Sequence, residues 1–489
     1  MEEKTQLKHT LIYMLPKAVT GFFPILGLAI YTRFLTQFDF GVFALAEACA
    51  LFLSGIVNFG MIIGFERNFF KYQDTEEKRA LLYSTMSFVL VLFAIAAIFT
   101  YLFKGLLSNW IIRYSGHGSL IFVLFCSTVF ASLNQYYYIY FRSDGRPKIF
   151  VFYTSIFGFL NVVLPVAFIV FAHMGIMGLA VGQLIAGLII FTALGVRFLK
   201  EVSFSFDFKI LKEVLKISYP LTPRIFFGVI NAQISKYILA IMSSVGGVGL
   251  FAVAQKLSNL IFTFIVTLQN VFFPGVYKQL FSKEDYSGEK IGKYLTPFLY
   301  FSVGVALLFA LFSKEILYVF TAKSFSDAAD IITVLSTYYA LLFFSSITGL
   351  QLIFMKKTYI TSLLVIFTIG LNVLIAIPLT KSFGAIGAAW ALLFVGIISG
   401  TVSFIIAQRL FAIKWEYGKV ISIFCVLIFS SLLILISDYY HISYLYCLSI
   451  KCLALVSYLY IGVKIKIITK ESINDFMNIL TFKKEKNIN

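Results

Sequence analysis

The sequence predicts an all-α integral membrane protein of about 14 transmembrane helices, with two pseudo-symmetric six-helix lobes around a central cavity and a C-terminal helix pair. Three observations lead there. The 489 residues are 60% hydrophobic and 13% charged, whereas a soluble domain is roughly 45–50% apolar and about 25% charged. Apolar runs of about 20 residues, the length that crosses a bilayer core, recur from end to end with short charged gaps. The chain also resembles itself at a spacing of roughly 204–211 residues, a construction common in transporters.

The first six runs lie at about 10–33, 41–64, 80–102, 119–141, 149–171 and 175–197, followed by an amphipathic linker from Lys200 to Lys216. Six more lie at about 217–242, 248–272, 293–313, 329–354, 359–380 and 384–408, and a final pair near 418–437 and 443–463. The expected divisions are residues 1–215 (N-lobe, spans one to six with the linker), 216–410 (C-lobe, spans seven to twelve) and 411–489 (the helix pair and a basic cytoplasmic tail).

The self-similarity falls at corresponding spans. Phe40-Gly41-Val42-Phe43-Ala44-Leu45-Ala46 returns as Val248-Gly249-Leu250-Phe251-Ala252-Val253-Ala254, and Leu160-Asn161-Val162 as Leu371-Asn372-Val373. Gly175-Ile176-Met177-Gly178-Leu179-Ala180 returns as Gly384-Ala385-Ile386-Gly387-Ala388-Ala389. Each match is six spans from its mate, an even number, so the copies share one orientation about an axis along the membrane normal.

Charge orients the chain. Arg67, Lys71, Lys78 and Arg79, then Arg142, Arg146 and Lys148, fall in alternate gaps, while the turn Ala172–Met174 has no Lys or Arg. Basic residues concentrate in cytoplasmic gaps, which places both termini in the cytoplasm. The net charge of +17 is therefore a topology signal, and nucleic acid is excluded for want of a soluble basic face. The N-terminus lacks a small-residue cleavage site after its apolar run and reads as a retained span.

Catalysis and cofactors find no support. The five cysteines all lie in apolar segments without CxxC pairs and the four histidines are scattered, so no metal site is expected. No GxxxxGK[ST] loop, paired carboxylate site or nucleophile with its base is present, so no cofactor is expected and the chain reads as a non-enzyme. The aromatic pairs and triplets, Tyr136-Tyr137-Tyr138 and Tyr439-Tyr440, suit interface belts.

Charged side chains inside apolar spans are costly, so they mark candidate sites. Lys17 follows Pro16 in span one, and Arg224 follows Pro223 in span seven; together they could neutralise an anion, Arg as a fork and Lys as a mobile charge. Lys236 and Lys256 lie toward the outer halves of spans seven and eight, and Glu47 is the one acid clearly inside a span. Asn231, Gln233 and Gln255 could bond hydroxyl groups of a ligand, while amides such as Gln269 also serve helix packing.

The stretch from Leu28-Ala29-Ile30-Tyr31-Thr32-Arg33 through Phe40-Gly41-Val42-Phe43 to Gly60 and Arg67 resembles the opening of Wzx-type O-antigen and polysaccharide flippases. Ser235-Lys236-Tyr237-Ile238-Leu239 through Val248 to Ser258 is similar to the start of that family's second lobe, although relatives often carry an acid where this chain has Lys236. The resemblance implies the multidrug/oligosaccharidyl-lipid/polysaccharide exporter fold in a bacterial inner membrane. It also implies an undecaprenyl-diphosphate-linked glycan as cargo, moved by alternating access among membrane lipids, with a polysaccharide polymerase and a chain-length regulator as candidate partners. The competing functions are a multidrug or cation exporter of the same superfamily and a peptidoglycan lipid-precursor flippase. An exporter of cations should place acids in its cavity, whereas the buried charges here are four basic to one acidic.

Overall fold

The computed structural model describes residue 21 and residues 23–72, 74–201, 204–280 and 287–467. Those residues form helices and turns, in chain order α1 (Phe23–Phe34), α2 (Gln37–Val57), α3 (Met61–Phe69), α4 (Thr75–Leu102), α5 (Lys104–Leu107), α6 (Gly118–Ser143), α7 (Pro147–Val170), α8 (Gly175–Glu201) and α9 (Phe208–Ser218). There follow α10 (Thr222–Met242), α11 (Val245–Leu280), α12 (Ser287–Leu311), α13 (Ser313–Phe320), α14 (Ala328–Phe354), α15 (Thr358–Leu410), α16 (Tyr417–Tyr439) and α17 (Tyr444–Lys464).

Twelve of these are long and apolar enough to cross a membrane. At 53 residues α15 is too long for one crossing, and it breaks at Gly384 (φ 61°, ψ −133°) into two rods. Counting both rods gives thirteen among the described residues, and the shorter apolar α1 falls in the first expected span, so the count stands near the fourteen that composition and periodicity predict.

Two boundaries differ from expectation for identifiable reasons. The second span, expected over 41–64, ends at Val57 because Phe59 (φ 53°) and Gly60 (φ 69°) turn left-handed, and α3 then leaves in a new direction. Span seven begins at Thr222, after a 3-10 turn over Tyr219–Leu221 that contains Pro220. Proline lacks the N–H that would continue the preceding helix but fits a first helical turn. The linker carries the expected amphipathic helix, α9, capped by Asp207, whose carboxylate accepts from Lys209 N at 2.7 Å.

Packing divides the chain into two compact units: Met1–Leu257 with Leu317–Ala328 and Ser362–Val395, and Ser258–Ile316 with Ala329–Thr361 and Gly396–Asn489. In the first unit the sequence repeat becomes a pair of matched contacts. Helix α2 meets the start of α11 with two glycines at the crossing. A Cβ on Gly41 would lie 1.8 Å from the Val245 carbonyl oxygen, and one on Gly249 1.9 Å from that of Gln37. Gly41 and Gly249 are repeat mates, as are Gln37 and Val245, so each half presents the same glycine to the same carbonyl of the other. The second motif behaves alike. Gly175 and Gly384 are both left-handed (φ 55° and 61°), and Gly178 and Gly387 press on the backbones of Phe168 and Leu379 at 3.0 and 2.1 Å from a notional Cβ. The third places Asn161 and Asn372 at matching joints: the Asn161 carbonyl accepts from Tyr31 of α1, and the Asn372 amide donates to Ser235 of α10 at 3.2 Å.

The second unit is stapled by buried polar pairs. Tyr300 and Tyr458 stack at 4.5 Å and each donates its hydroxyl to the other's carbonyl, tying α12 to α17. Lys451, 3% exposed, pairs with Glu315 at 2.5 Å, and Tyr444 donates to the same carboxylate oxygen. Gln269 donates to Ser346 at 2.6 Å, a helix-packing bond of the kind expected for a membrane amide.

Candidate functional site

The site is built on three helices of the first unit. Along α2 and its C-cap, Glu47, Leu51, Ser54, Gly55 and Asn58 fall at helical spacing and so form one stripe. Along α10, running antiparallel, Ile225, Gly228, Val229, Ala232, Gln233 and Lys236 form another. Thr128, Ala131, Ser132 and Gln135 form a third on α6. These faces enclose a cavity of about 640 Å³, floored by Gly60, Ile62 and Ile63, and Glu47 and Lys236 sit just past its lining, one at the end of each stripe. Among the described residues none that lines the cavity is charged.

The wall is ordered by hydrogen bonds. Tyr136, fully buried, donates to Asn58 Oδ1 at 2.9 Å, and Asn58 Nδ2 donates to Ser132 Oγ at 2.7 Å. Tyr136, Tyr137 and Tyr138, expected in an interface belt, are instead core residues at 0%, 5% and 4% exposure, because their rings pack on α3, α8 and α7 respectively. Tyr439 and Tyr440 are exposed at a helix end, as a belt requires.

Beyond the cavity lies a charge cluster. Lys236 is buried, at 8% exposure, and the charges whose fields reach it are Glu47 of α2 and Lys256 of α11. Lys256 is half-buried with its ammonium 5.8 Å from the Phe43 ring, a range in which a cation gains about 0.5–1 kcal/mol from the aromatic face when exposed and about 2 kcal/mol or more when desolvated.

Of the expected site residues, Gln233 lines the cavity, and its Oε1 is buried without a hydrogen-bond partner. Asn231 Oδ1 is likewise buried and unpartnered, two residues away on α10. Glu47, Lys236 and Lys256 come together past the cavity's end, and Gln255, the repeat mate of Glu47, precedes Lys256 on α11. Arg224 occupies the first turn of α10, one residue before the cavity-lining Ile225. Lys17 lies outside the described residues. Sequence reasoning missed Asn58, Ser132 and Gln135; the available signal was polar residues at helical spacing, Thr128, Ser132 and Gln135, within an apolar span.

The model of one family, described as polysaccharide biosynthesis protein, matches residues 6–280, more than half of the chain. This chain belongs to that family. The matched stretch contains all three cavity helices and every candidate charge. Solved structures agree on the fold. The lipid II flippase MurJ in an inward closed conformation superposes with a TM-score of 0.68 at 18% identity, covering 93% of this chain and 100% of that one. An inward-facing multidrug resistance MATE family transporter of the MOP superfamily gives 0.65 at 17% identity, covering 81% and 95%. A MOP superfamily transporter from Pyrococcus furiosus, whose description notes a reverse polarity of its binding pocket, gives 0.55 at 15% identity, covering 83% and 96%. No curated protein matches the chain in sequence at a significant level. This member of the polysaccharide biosynthesis protein family is thus a multi-pass membrane protein with a transporter fold.

Proposed function

We propose that the protein is a flippase carrying undecaprenyl-diphosphate-linked oligosaccharide repeat units, of the O-antigen or capsular type, across the bacterial inner membrane by alternating access. The observation that carries the reading is the cavity wall. In a polysaccharide biosynthesis family, a cavity of ligand size whose mostly apolar wall carries amides and hydroxyls, with no acid among its described lining residues, suits sugar rings. A cationic drug would bury its charge there without a compensating carboxylate, at a cost of several kcal/mol.

With both termini cytoplasmic, the Gly60 end of the cavity faces the cytoplasm and the Lys236 cluster lies toward the outer leaflet. Arg224 then stands at the cytoplasmic edge, and with Lys17 it neutralises the diphosphate through charge-assisted hydrogen bonds while the glycan enters the cavity. Opening on the other side releases the unit where a polymerase and a chain-length regulator take it up. Lys17→Ala and Arg224→Ala are expected to abolish surface-glycan export while leaving membrane insertion intact. Normal export by both variants would remove cationic capture from the mechanism.

A further inference from the structure

The linker between spans α8 and α10 lies at the membrane's edge, because the spans it joins end and begin there. Its helix α9 has three distinct faces. At 3.6 residues per turn, Ile210, Leu211, Val214 and Ser218 share one face, and all four are buried. Lys209, Lys212 and Lys216 fall within about 60° of arc on the opposite face, all exposed. Phe208, Leu215 and Tyr219 line the flank between them, with Phe208 68% and Tyr219 67% exposed. Phe204 and Phe206, just before the helix, are exposed as well.

The acids nearby are already engaged. Asp207 caps the helix and accepts from Lys209 N, while Glu213, on the other flank, pairs with Lys71 and accepts from the Tyr72 hydroxyl at 2.9 Å. Among the described residues no carboxylate pairs with the ammonium of Lys209, Lys212 or Lys216. Water alone would account for the lysines. It does not account for the exposed rings beside them, which forfeit the burial that favours an apolar surface. At a bilayer surface the aromatic flank enters the headgroup layer and the neighbouring lysines reach the phosphates. A cationic stripe gains most where that surface is negatively charged.

The buried face joins α9 to the cavity. Val214 and Ser218 press on Gly64 of α3, a Cβ on Gly60 would lie 3.0 Å from the Ser218 carbonyl oxygen, and Tyr219 stacks on Phe59 at 6.0 Å. Gly60 floors the cavity. A ligand that holds α9 in place therefore holds that floor.

We propose that α9 is a binding site for anionic phospholipid headgroups of the inner leaflet, with Lys209, Lys212 and Lys216 contacting the phosphates and Phe208 and Tyr219 entering the headgroup layer. The inference goes beyond the cargo, and it takes from the flippase reading only the cytoplasmic placement of the linker.

The test melts the full-length chain in neutral detergent micelles containing increasing phosphatidylglycerol. Melting should rise with phosphatidylglycerol and far less with phosphatidylcholine, by mass action on the folded state. Each lysine near an anionic surface changes affinity about fivefold. Lys209→Gln, Lys212→Gln and Lys216→Gln together should therefore raise the phosphatidylglycerol needed for a given rise by about a hundredfold. The single variants, about fivefold each, cover the case in which the triple variant does not fold. Lys356→Gln, Lys357→Gln and Lys414→Gln together remove the same charge from other exposed turns and should leave the titration little changed. An equal loss from that second set reduces the effect to diffuse attraction and overturns the site. So does an equal rise with phosphatidylcholine, or with inorganic phosphate alone. Each of these results leaves the flippase reading standing, whereas an intact lipid titration without glycan transport overturns the flippase reading alone.

Discussion

The two ends of α2 meet neighbouring helices in opposite ways. Near Gln37, Gly41 brings α2 and α11 into backbone contact, with no room for even a methyl group. Near Val57, Gly55 and Gly228 leave space: a Cβ at Gly55 would meet only the Val229 side chain at 3.2 Å, and one at Gly228 nothing within 4 Å. The same residue type closes one end and hollows the other. What decides is whether the facing atom is a fixed carbonyl or a movable side chain, since only the second can yield without shifting backbone.

The contrast orders the expected effects. Gly41→Val or Gly249→Val should be the most damaging, because overpacking against a carbonyl forces the helices apart and costs about 3 kcal/mol. Thermal melting in detergent should fall well below that of the unsubstituted protein, and unaltered melting would show that the crossing tolerates separation. Gly228→Phe should leave melting nearly unchanged while filling the cavity, so glycan export is lost from a folded protein. Retained export would mean that the cargo passes elsewhere. Tyr136→Phe deprives Asn58 Oδ1 of its donor and should cost about 1 kcal/mol, with a few-fold drop in export, read from melting and surface glycan together.

The smallest effect lies outside the spans. Glu213 on α9 pairs with Lys71, and both side chains are about half exposed. Hydrogen bonds from Lys71 and Tyr72 hold its carboxyl below the ordinary carboxylate range. Its contribution is therefore present at neutral pH and lost as the pH falls through that lowered value. Exposed pairs contribute about 0.2–1 kcal/mol, so Glu213→Gln should barely shift melting at pH 7. A large shift would mark α9 as a stronger brace than its exposure implies.

Most of the fold was legible because a bilayer crossing needs a fixed length of apolar chain, and glycine repeats mark close contacts. The sequence pairing of Gly41 with Gly249 corresponds to contacts of the same geometry. The site was only partly legible. Gln233 stands out as an amide in an apolar span, and it does line the cavity. Asn58, Ser132 and Gln135 escaped notice because their meeting depends on how α6 turns toward α2, and helical spacing within one span does not encode its neighbour. Tyr136 misled for the same reason: a tyrosine run reads as an interface belt until packing buries it against Asn58.

The most direct measurement is complementation of a bacterial strain lacking its O-unit flippase, with lipid-linked intermediates identified by mass spectrometry. Restored surface polymer and disappearance of the accumulated undecaprenyl-diphosphate oligosaccharide are the predicted result. Persistent accumulation with every glycan supplied, together with acquired resistance to cationic drugs, would contradict it.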